Sequence, residues 1–283
     1  MKPSFIIIIP LLFIALLPCH SQSNLHFKYN CSNDFKDTIH SRIILLDPNG
    51  REQNLYNDTL KKYTYSLQEI IIEGTYTLKT CFRSNKYGID SLEYKFSTYG
   101  KEKGIDIDVR FILDVESYMH NEKWIKKEKL PQGFIEVCKY YDPPQSIEIS
   151  YASHIKSTDY YKGPFFIIKN HSTDTIYGQY LPGYLWGSLT LLTPNSTKRK
   201  SIIGIIDYNF APEPPLLPHS ETIALVGSFG FYNKMPKSKY LYTLLFSNKL
   251  QSTGLSKYLK KDNFIWWADS KEYYKLEYEF EVE

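Results

Sequence analysis

The sequence EGTYTLKTCF, residues 73–82, decides the fold class because it alternates with a period of two. Tyr76 and Leu78 fall on one face of an extended chain, whereas Thr77 and Lys79 fall on the other. Alternation in a run rich in β-branched and aromatic residues is typical of a half-buried β-strand. Similar runs recur along the chain without any long helical periodicity, so the sequence predicts an all-β protein.

The spacing Gly74-x-Tyr76-x-Leu78 resembles the tyrosine corner of immunoglobulin-like β-sandwiches. In that motif the tyrosine hydroxyl turns back onto the backbone upstream, and Leu78 takes the place of the second cysteine of antibody domains. The turns at residues 170–175 and 215–221 add a similarity to the immunoglobulin-like modules of exported bacterial proteins. The resemblance implies a β-sandwich but no particular function, since sandwiches carry many unrelated activities.

Residues 1–21 have the pattern of a secretory signal peptide: a positive start, an apolar run at residues 5–17, and a cleavage point after the small residue Ser21. The run of 13 residues is shorter than a membrane-spanning helix requires. The sequence therefore predicts a secreted or periplasmic protein without a transmembrane segment after cleavage. A second interpretation makes Cys19 a lipidated residue; it is weakened by Pro18, which stands where a small residue is expected.

Cleavage would leave 262 of the 283 residues, more than a single hydrophobic core usually serves. We therefore expect two immunoglobulin-like β-sandwich domains in tandem, at residues 22–115 and 134–283, joined by a charged connector at residues 116–133. The connector gathers lysines around Trp124, which favours a solvated link with a short helical turn; contact with a partner or a lipid head group is the alternative. The alternation at residues 274–282 predicts a terminal strand docked on the second core.

The formal net charge of +3, with Lys and Glu interspersed, gives no electrostatic reason to expect a nucleic-acid ligand or binding to an acidic membrane surface. The sequence has no His-Glu-x-x-His, Gly-x-Ser-x-Gly or phosphate-binding glycine loop, and it predicts no cofactor. It favours a non-enzymatic binding protein whose ligand is a protein or a carbohydrate. Two alternatives stay open: an inhibitor or immunity protein of a bacterial envelope, and a secreted hydrolase with an unrecognised site.

Four aromatic residues are the candidates for ligand binding. Tyr184 and Trp186 follow a Pro-Gly turn, whereas Trp266 and Trp267 are adjacent. Neighbouring residues on a strand face opposite sides, so one of the adjacent rings should point away from the core. Flat aromatic side chains at a surface serve as stacking platforms and binding anchors. We predict a ligand surface on the second domain that contains Trp186 with Trp266 or Trp267; ordinary sandwich packing is the competing interpretation.

Two further patterns concern metal binding and disulfides. Asp106 and Asp108 alternate onto one face and form a weak candidate for a hard cation such as calcium, against the simpler interpretation of a solvated strand edge. Cys31, Cys81 and Cys138 remain after cleavage. A bridge from Cys31 to Cys81 is the favoured pairing in an exported chain, although their positions in the alternation oppose it; three thiols are the alternative.

Overall fold

Period-two sequence runs become strands throughout the part of the chain that the structure describes. The structure is a computed structural model, and it describes residues 22–31, 38–60, 65–112, 115–128, 131–152, 165–178, 187–192, 200–202, 215–225, 237–251, 257–261 and 264–282. These residues contain strands and turns but no helix, which confirms the all-β prediction. The predicted signal peptide at residues 1–21 lies outside the described residues.

The strands are β1 (Gln22–Cys31), β2 (Ile39–Leu46), β3 (Glu52–Leu60), β4 (Tyr65–Ile72), β5 (Gly74–Ser84), β6 (Gly88–Thr98), β7 (Gly104–Ile112), β8 (Val115–His120), β9 (Lys123–Glu128), β10 (Gln132–Tyr141), β11 (Ile147–Ala152), β12 (Phe165–Asn170), β13 (Tyr177–Gly178), β14 (Gly187–Leu192), β15 (Lys200–Ile202), β16 (Ser220–Leu225), β17 (Ser238–Ser247), β18 (Lys257–Lys261) and β19 (Phe264–Val282).

One ten-stranded sheet connects the two halves of the chain. Its main order is β15-β14-β17-β19-β10-β7-β1-β4, with β13 paired to β17 and β18 paired to β19. The sheet crosses the predicted domain boundary, because β10 is antiparallel to β7 on one side and parallel to β19 on the other. Two smaller sheets, β3-β2-β5-β6 and β11-β12-β16, and the hairpin β8-β9 complete the described strands.

The first hydrophobic cluster combines one part of the central sheet with the sheet β3-β2-β5-β6. The alternating apolar residues of β1, β2, β5, β6 and β7 provide most of it, and Phe264 and Trp266 of β19 join them. The second cluster combines the remaining part of the central sheet with β11-β12-β16, and includes Phe166, Tyr242 and Phe280. Each cluster therefore contains residues from the central sheet and from a smaller sheet, as in a β-sandwich core.

The tyrosine corner predicted from residues 73–82 is present as a local feature. The Tyr76 hydroxyl donates a hydrogen bond to the Ile72 carbonyl oxygen at 3.0 Å and accepts one from the Ile72 amide at 3.2 Å. The Thr98 hydroxyl also donates to the Ile72 oxygen, at 2.9 Å. These bonds tie the end of β4 to β5 and β6, two strands of the facing sheet. Burial, partly offset by the bond to Ile72, raises the pKa of Tyr76.

Strand β19 contributes to both clusters. Its first residues pack in the first cluster, and Tyr274, Leu276 and Val282 pack against the second. The expected docking of the terminal alternation is thus confirmed. The division into two tandem immunoglobulin-like domains, with a boundary at residues 116–133, stays a prediction. The described residues show two large clusters on one shared sheet, with a small third cluster of Cys138, Tyr140 and Tyr273.

The expected helical turn in the charged connector is wrong, because residues 115–128 form the hairpin β8-β9. Its two central turn residues, Asn121 and Glu122, have φ angles of 47° and 62°. Positive φ at both central positions defines the type I′ turn, whose twist matches that of antiparallel strands. The favoured Asn-Gly pair is absent here, so the local sequence does not predict this hairpin.

Candidate functional site

An aromatic stack covers the outer face of the central sheet, opposite the first cluster. Cross-strand register places Arg110 of β7 beside Phe134 of β10, and Phe134 beside Trp267 of β19. The rings of Phe134 and Trp267 stack with centroids 4.7 Å apart and planes 14° apart. The Arg110 guanidinium lies 5.0 Å from the Phe134 ring centroid, within the range of a cation–π contact. The stack joins three neighbouring strands by side chains that stand on one face.

Asp108 holds the guanidinium end of this stack. Arg110 donates to Asp108 Oδ2 from Nε at 2.9 Å and from Nη2 at 2.6 Å. Asn30 of β1 donates to the other carboxylate oxygen at 3.4 Å. A two-bond contact with carboxylate restricts the guanidinium plane. Asp108 therefore fixes the orientation of Arg110, and its carboxylate is already occupied by protein donors.

A second row of charges follows the stack along the same face. Lys271 forms an ion pair with Glu136 and lies 3.7 Å from Asp269. Burial opposes the charged form of Lys271, but the bond to Glu136 and the nearby carboxylates raise its pKa overall. Two carboxylates thus accompany one ammonium group in this row, and both pair with Lys271.

Asp106 lies two residues before Asp108 on the same face of β7, and it has different surroundings. Burial raises its pKa, although His26 and Lys28 act in the opposite direction. The Tyr140 hydroxyl donates to Asp106 Oδ2 at 3.4 Å. Within the described residues, no group of three or more His, Cys, Asp or Glu side chains could hold a metal ion. The structure therefore does not add ligands to the weak cation candidate formed by Asp106 and Asp108.

Trp266 is removed from the ligand candidates by its position in the first cluster. It is 1% exposed, and its ring lies 4.9 Å from that of Phe82 and 6.3 Å from that of Phe111. The ring also packs over Gly133, where an added Cβ would lie 2.6 Å from indole atoms. Its partner Trp267 is partly exposed on the outer face. The alternation that separates the two rings is the one expected of adjacent strand residues.

The other two predicted aromatic residues, Tyr184 and Trp186, belong to residues 179–186, which lie outside the described part of the chain. The predicted surface that would combine Trp186 with Trp267 therefore stays a prediction. What the structure changes is the location of Trp267: its neighbours in the sheet include Phe134 and, through Phe134, Arg110 of the first half of the chain.

The predicted disulfide between Cys31 and Cys81 is not formed. Cys31 ends β1 in the central sheet and packs partly buried against the first cluster. Cys81 lies on the exposed face of β5 in the smaller sheet. The smaller sheet lies between the two side chains, because Cys31 faces the first cluster and Cys81 faces away from it. The two positions in the alternation of their strands already argued against a bridge. Burial raises the pKa of the Cys31 thiol to about 12.

The hairpin β8-β9 carries the most exposed large apolar side chain of the described residues. Trp124 is 67% exposed and its cross-strand neighbour Met119 is 61% exposed. Ile125, the next residue, is 36% exposed. Among the described strands, β8 and β9 pair only with each other. The sequence placed Trp124 in a lysine-rich segment and favoured a solvated link. It did not predict the hairpin that presents Trp124 beside Met119.

The hairpin and the aromatic stack belong to the same end of the central sheet. The hairpin is inserted between β7 and β10, and the last pairs of these two strands before it include Arg110 with Phe134. We call the two features together the aromatic end, defined by Arg110, Met119, Trp124, Phe134 and Trp267. The exposed apolar pair on the ribbon and the aromatic stack on the sheet are two separate features of this end, because the residues that link them, 113–114 and 129–130, lie outside the described part of the chain.

Comparisons with known proteins add little to these observations. No protein-family model and no curated protein matches the chain. Among solved structures it is similar to the pilus adhesin SpaC from Lactobacillus rhamnosus GG, at 9% identity and a TM-score of 0.14. The match covers 90% of this chain and 43% of the adhesin chain, so this chain spans less than half of that protein. A TM-score of 0.14 carries no argument about function.

The structure contains, in the part of the chain that it describes, no apolar helix of membrane-spanning length. Fold and site together define an all-β protein with a shared central sheet and an exposed aromatic end.

Proposed function

We propose that this chain is an exported, non-enzymatic binding protein that holds a protein partner through the aromatic end. The observation that carries the proposal is the cross-strand pair of Met119 and Trp124, which are 61% and 67% exposed. Large apolar side chains that are exposed together are unfavourable in water and mark interaction sites. Their place on a ribbon that pairs only with itself, among the described strands, makes them accessible to a partner.

The side chains favour a protein over a carbohydrate as the ligand. Met and Trp are enriched at the centres of protein interfaces, whereas charged residues form the rim. The hairpin has this arrangement, because the exposed Glu122 and Lys123 lie next to the apolar pair. Met119 adds aliphatic surface beside Trp124, which suits apolar side chains of a protein better than the hydroxyl groups of a sugar.

The aromatic stack supports the proposal as a pre-ordered base for the partner. Arg110 is fixed by two hydrogen bonds to Asp108, and Trp267 is fixed by stacking on Phe134. Side chains that are ordered before binding lose less conformational entropy when the partner arrives. Arg and Trp are also the residues most often found to dominate binding energy.

Export is part of the proposal and rests on the signal-peptide pattern of residues 1–21. Fractionation of the cells that make the protein tests it. Recovery of a protein that begins at Gln22, outside the cytoplasm, is the expected result. A chain that keeps residues 1–21 inside the cytoplasm would remove the exported location, while a protein with lipidated Cys19 would place it at a membrane surface.

Site-specific cross-linking tests the partner. A photoreactive amino acid is placed at position 124, and in a control at position 250, where Leu250 is 62% exposed far along the sequence. We expect one discrete cross-linked protein from position 124 in the native cells, and none from position 250. The same product from both positions would mean that cross-linking follows exposure alone and would contradict the proposal.

Two variants separate binding from folding. Trp124→Ala and Leu250→Ala remove side chains of similar exposure, so each should change the free energy of unfolding by no more than about 0.5 kcal/mol. Only Trp124→Ala should abolish recovery of the cross-linked partner by co-purification. If Trp124→Ala instead destabilises the chain by several kcal/mol, its ring is part of a core and the binding proposal loses its basis.

A further inference from the structure

A second site lies on the sheet β3-β2-β5-β6, on the face turned away from the first cluster. It is an open hollow of about 290 Å³, lined by His40, Ser41, Arg42, Asn57, Asp58, Thr59, Cys81 and Arg83. The register explains its composition. Arg42 of β2 lies opposite Cys81 of β5, and His40 opposite Arg83, so the two arginines alternate with an imidazole and a thiol across two strands. Residues paired in this way present their side chains on one face.

The two arginines give the hollow a positive charge that its neighbours compensate weakly. Arg42 has one distant ion pair, 3.9 Å to Glu52, with both side chains more than half exposed. Arg83 makes no ion pair or hydrogen bond with any residue that the structure describes. Lys79 of the same strand, by contrast, is paired with Glu93 at 3.2 Å. Exposed pairs such as Arg42–Glu52 contribute little, so the guanidinium groups stay available to a ligand.

Neutral hydrogen-bonding groups complete the hollow. The Thr59 hydroxyl and His40 Nδ1 are hydrogen bonded at 2.7 Å, which fixes the imidazole ring against β3. Asn57 lies opposite Arg42 and adds an amide group. The one carboxylate of the lining, Asp58, accepts a hydrogen bond from the Thr59 amide at 2.6 Å. The lining therefore offers an excess of donors and of positive charge.

We propose that this hollow binds an oxyanion, the phosphate or sulfate group of a larger molecule. The planar guanidinium matches the oxygen atoms of such groups and forms two parallel bonds with them. Two arginines on adjacent strands can approach one tetrahedral anion from two sides, with Asn57 and His40 as further donors. The volume of about 290 Å³ is at the lower end for small-molecule sites, which suits one charged group and the unit that carries it.

Cys81 provides a reporter inside the hollow. It is exposed, whereas Cys31 is partly buried and Cys138 is buried, so among these three thiols it should react first with an uncharged maleimide. An anion bound between Arg42 and Arg83 would lie beside this thiol and slow the reaction. At an anion concentration equal to the Kd, the labelling rate should fall by about half, because half of the sites are occupied.

The experiment measures the labelling rate of Cys81 in the full mature chain, with peptide mass spectrometry to confirm the labelled position. The probes are inorganic phosphate, inorganic sulfate, glucose 6-phosphate and glucose 6-sulfate, each against sodium chloride of equal ionic strength and against glucose. Protection by the sugar esters but not by the free ions would identify an ester ligand; protection by the free ions alone would identify a site for the inorganic anion. Protection by one anion type selects phosphate or sulfate.

Paired variants make the test specific. Arg42→Gln with Arg83→Gln should abolish the protection, while Lys79→Gln, a cation of the same strand outside the hollow lining, should keep it. All three positions are at the surface of the sheet, so circular dichroism should show unchanged folding. Equal slowing by sodium chloride, or protection that survives the double arginine change, would overturn the proposal, because either result means that the arginines hold no anion.

Discussion

Two carboxylates on one strand, Asp106 and Asp108, show how strongly the local surroundings decide the role of a residue. Both lie on the outer face of β7, two positions apart. Asp108 receives two hydrogen bonds from Arg110, whereas Asp106 is enclosed enough that burial raises its pKa. The pattern Asp106-x-Asp108-x-Arg110 already places Arg110 beside Asp108 on one face of the strand, whereas the burial of Asp106 cannot be deduced from the sequence. The surroundings of Asp106 come from other strands that the sheet brings together, with His26 and Lys28 on β1 and Tyr140 on β10.

The two residues should therefore respond oppositely to neutralisation. A raised pKa means that ionisation of Asp106 costs more in the folded than in the unfolded chain, so its contribution to stability is present below its ordinary pKa of 3.8 and is lost as the pH rises. Asp106→Asn should then stabilise the protein at pH 7 by up to about 1 kcal/mol, and the gain should vanish below about pH 4. Urea unfolding at both pH values measures this.

Asp108→Asn is the matched control on the same face. It removes the charge that orients Arg110, and it should cost up to about 1 kcal/mol at pH 7, the usual range for a partly exposed ion pair. If both changes destabilise the protein equally at neutral pH, the environments of the two carboxylates do not differ as described.

At the scale of elements, the sequence predicted strands whose buried residues alternate, and it failed where that signal is weak. Strand β5 matches the predicted run at residues 73–82, and the Tyr76 hydroxyl makes the expected bond to the upstream backbone, at Ile72. Strand β3 shows little alternation, because its sequence is mostly polar and Leu55 is its one buried residue among those whose burial is described. The hairpin β8-β9 was not predicted because the residues of its two strands do not alternate between apolar and polar side chains.

The contact between Gly133 and Trp266 is an example of packing between distant elements that the sequence does not predict. Gly133 of β10 faces Trp266 of β19, and a Cβ there would come within 2.6 Å of indole atoms. We expect Gly133→Ala to destabilise the protein by about 1–3 kcal/mol, as overpacking of a closed core does. Gly104→Ala on neighbouring β7 is the control, since its Cβ would meet nothing closer than 3.7 Å. Chemical denaturation of the two variants measures the difference.

The double variant Gly133→Ala with Trp266→Phe tests whether the indole ring causes the loss of stability in Gly133→Ala. Trp266→Phe makes room beside Gly133, so its cost and the cost of Gly133→Ala should add to more than the cost of the double variant. Strict additivity, or equal losses from Gly133→Ala and Gly104→Ala, would show that the indole does not rest on Gly133.

At the scale of the whole molecule, the shared strand β19 matters most for how the chain can be divided. The sequence predicted the terminal alternation, but the parallel pairing of β10 with β19 joins residues more than a hundred positions apart and leaves no local pattern. Four large side chains of the first cluster come from beyond the predicted boundary at residue 115: Ile135, Val137, Phe264 and Trp266. The first core is therefore incomplete in residues 22–115.

A fragment of residues 22–115 should not fold, because each missing large side chain contributes about 1.5–3 kcal/mol when buried, and four of them rival the whole stability of a domain. A fragment of residues 22–141, which keeps β10, should gain cooperative unfolding only when a peptide of residues 257–283 supplies β18 and β19. The matched control is the same peptide with Phe264→Ala and Trp266→Ala, which should not restore folding. Thermal unfolding followed by circular dichroism distinguishes the mixtures. A cooperative transition in residues 22–115 alone would instead support two independent sandwiches, with β19 only resting against the first.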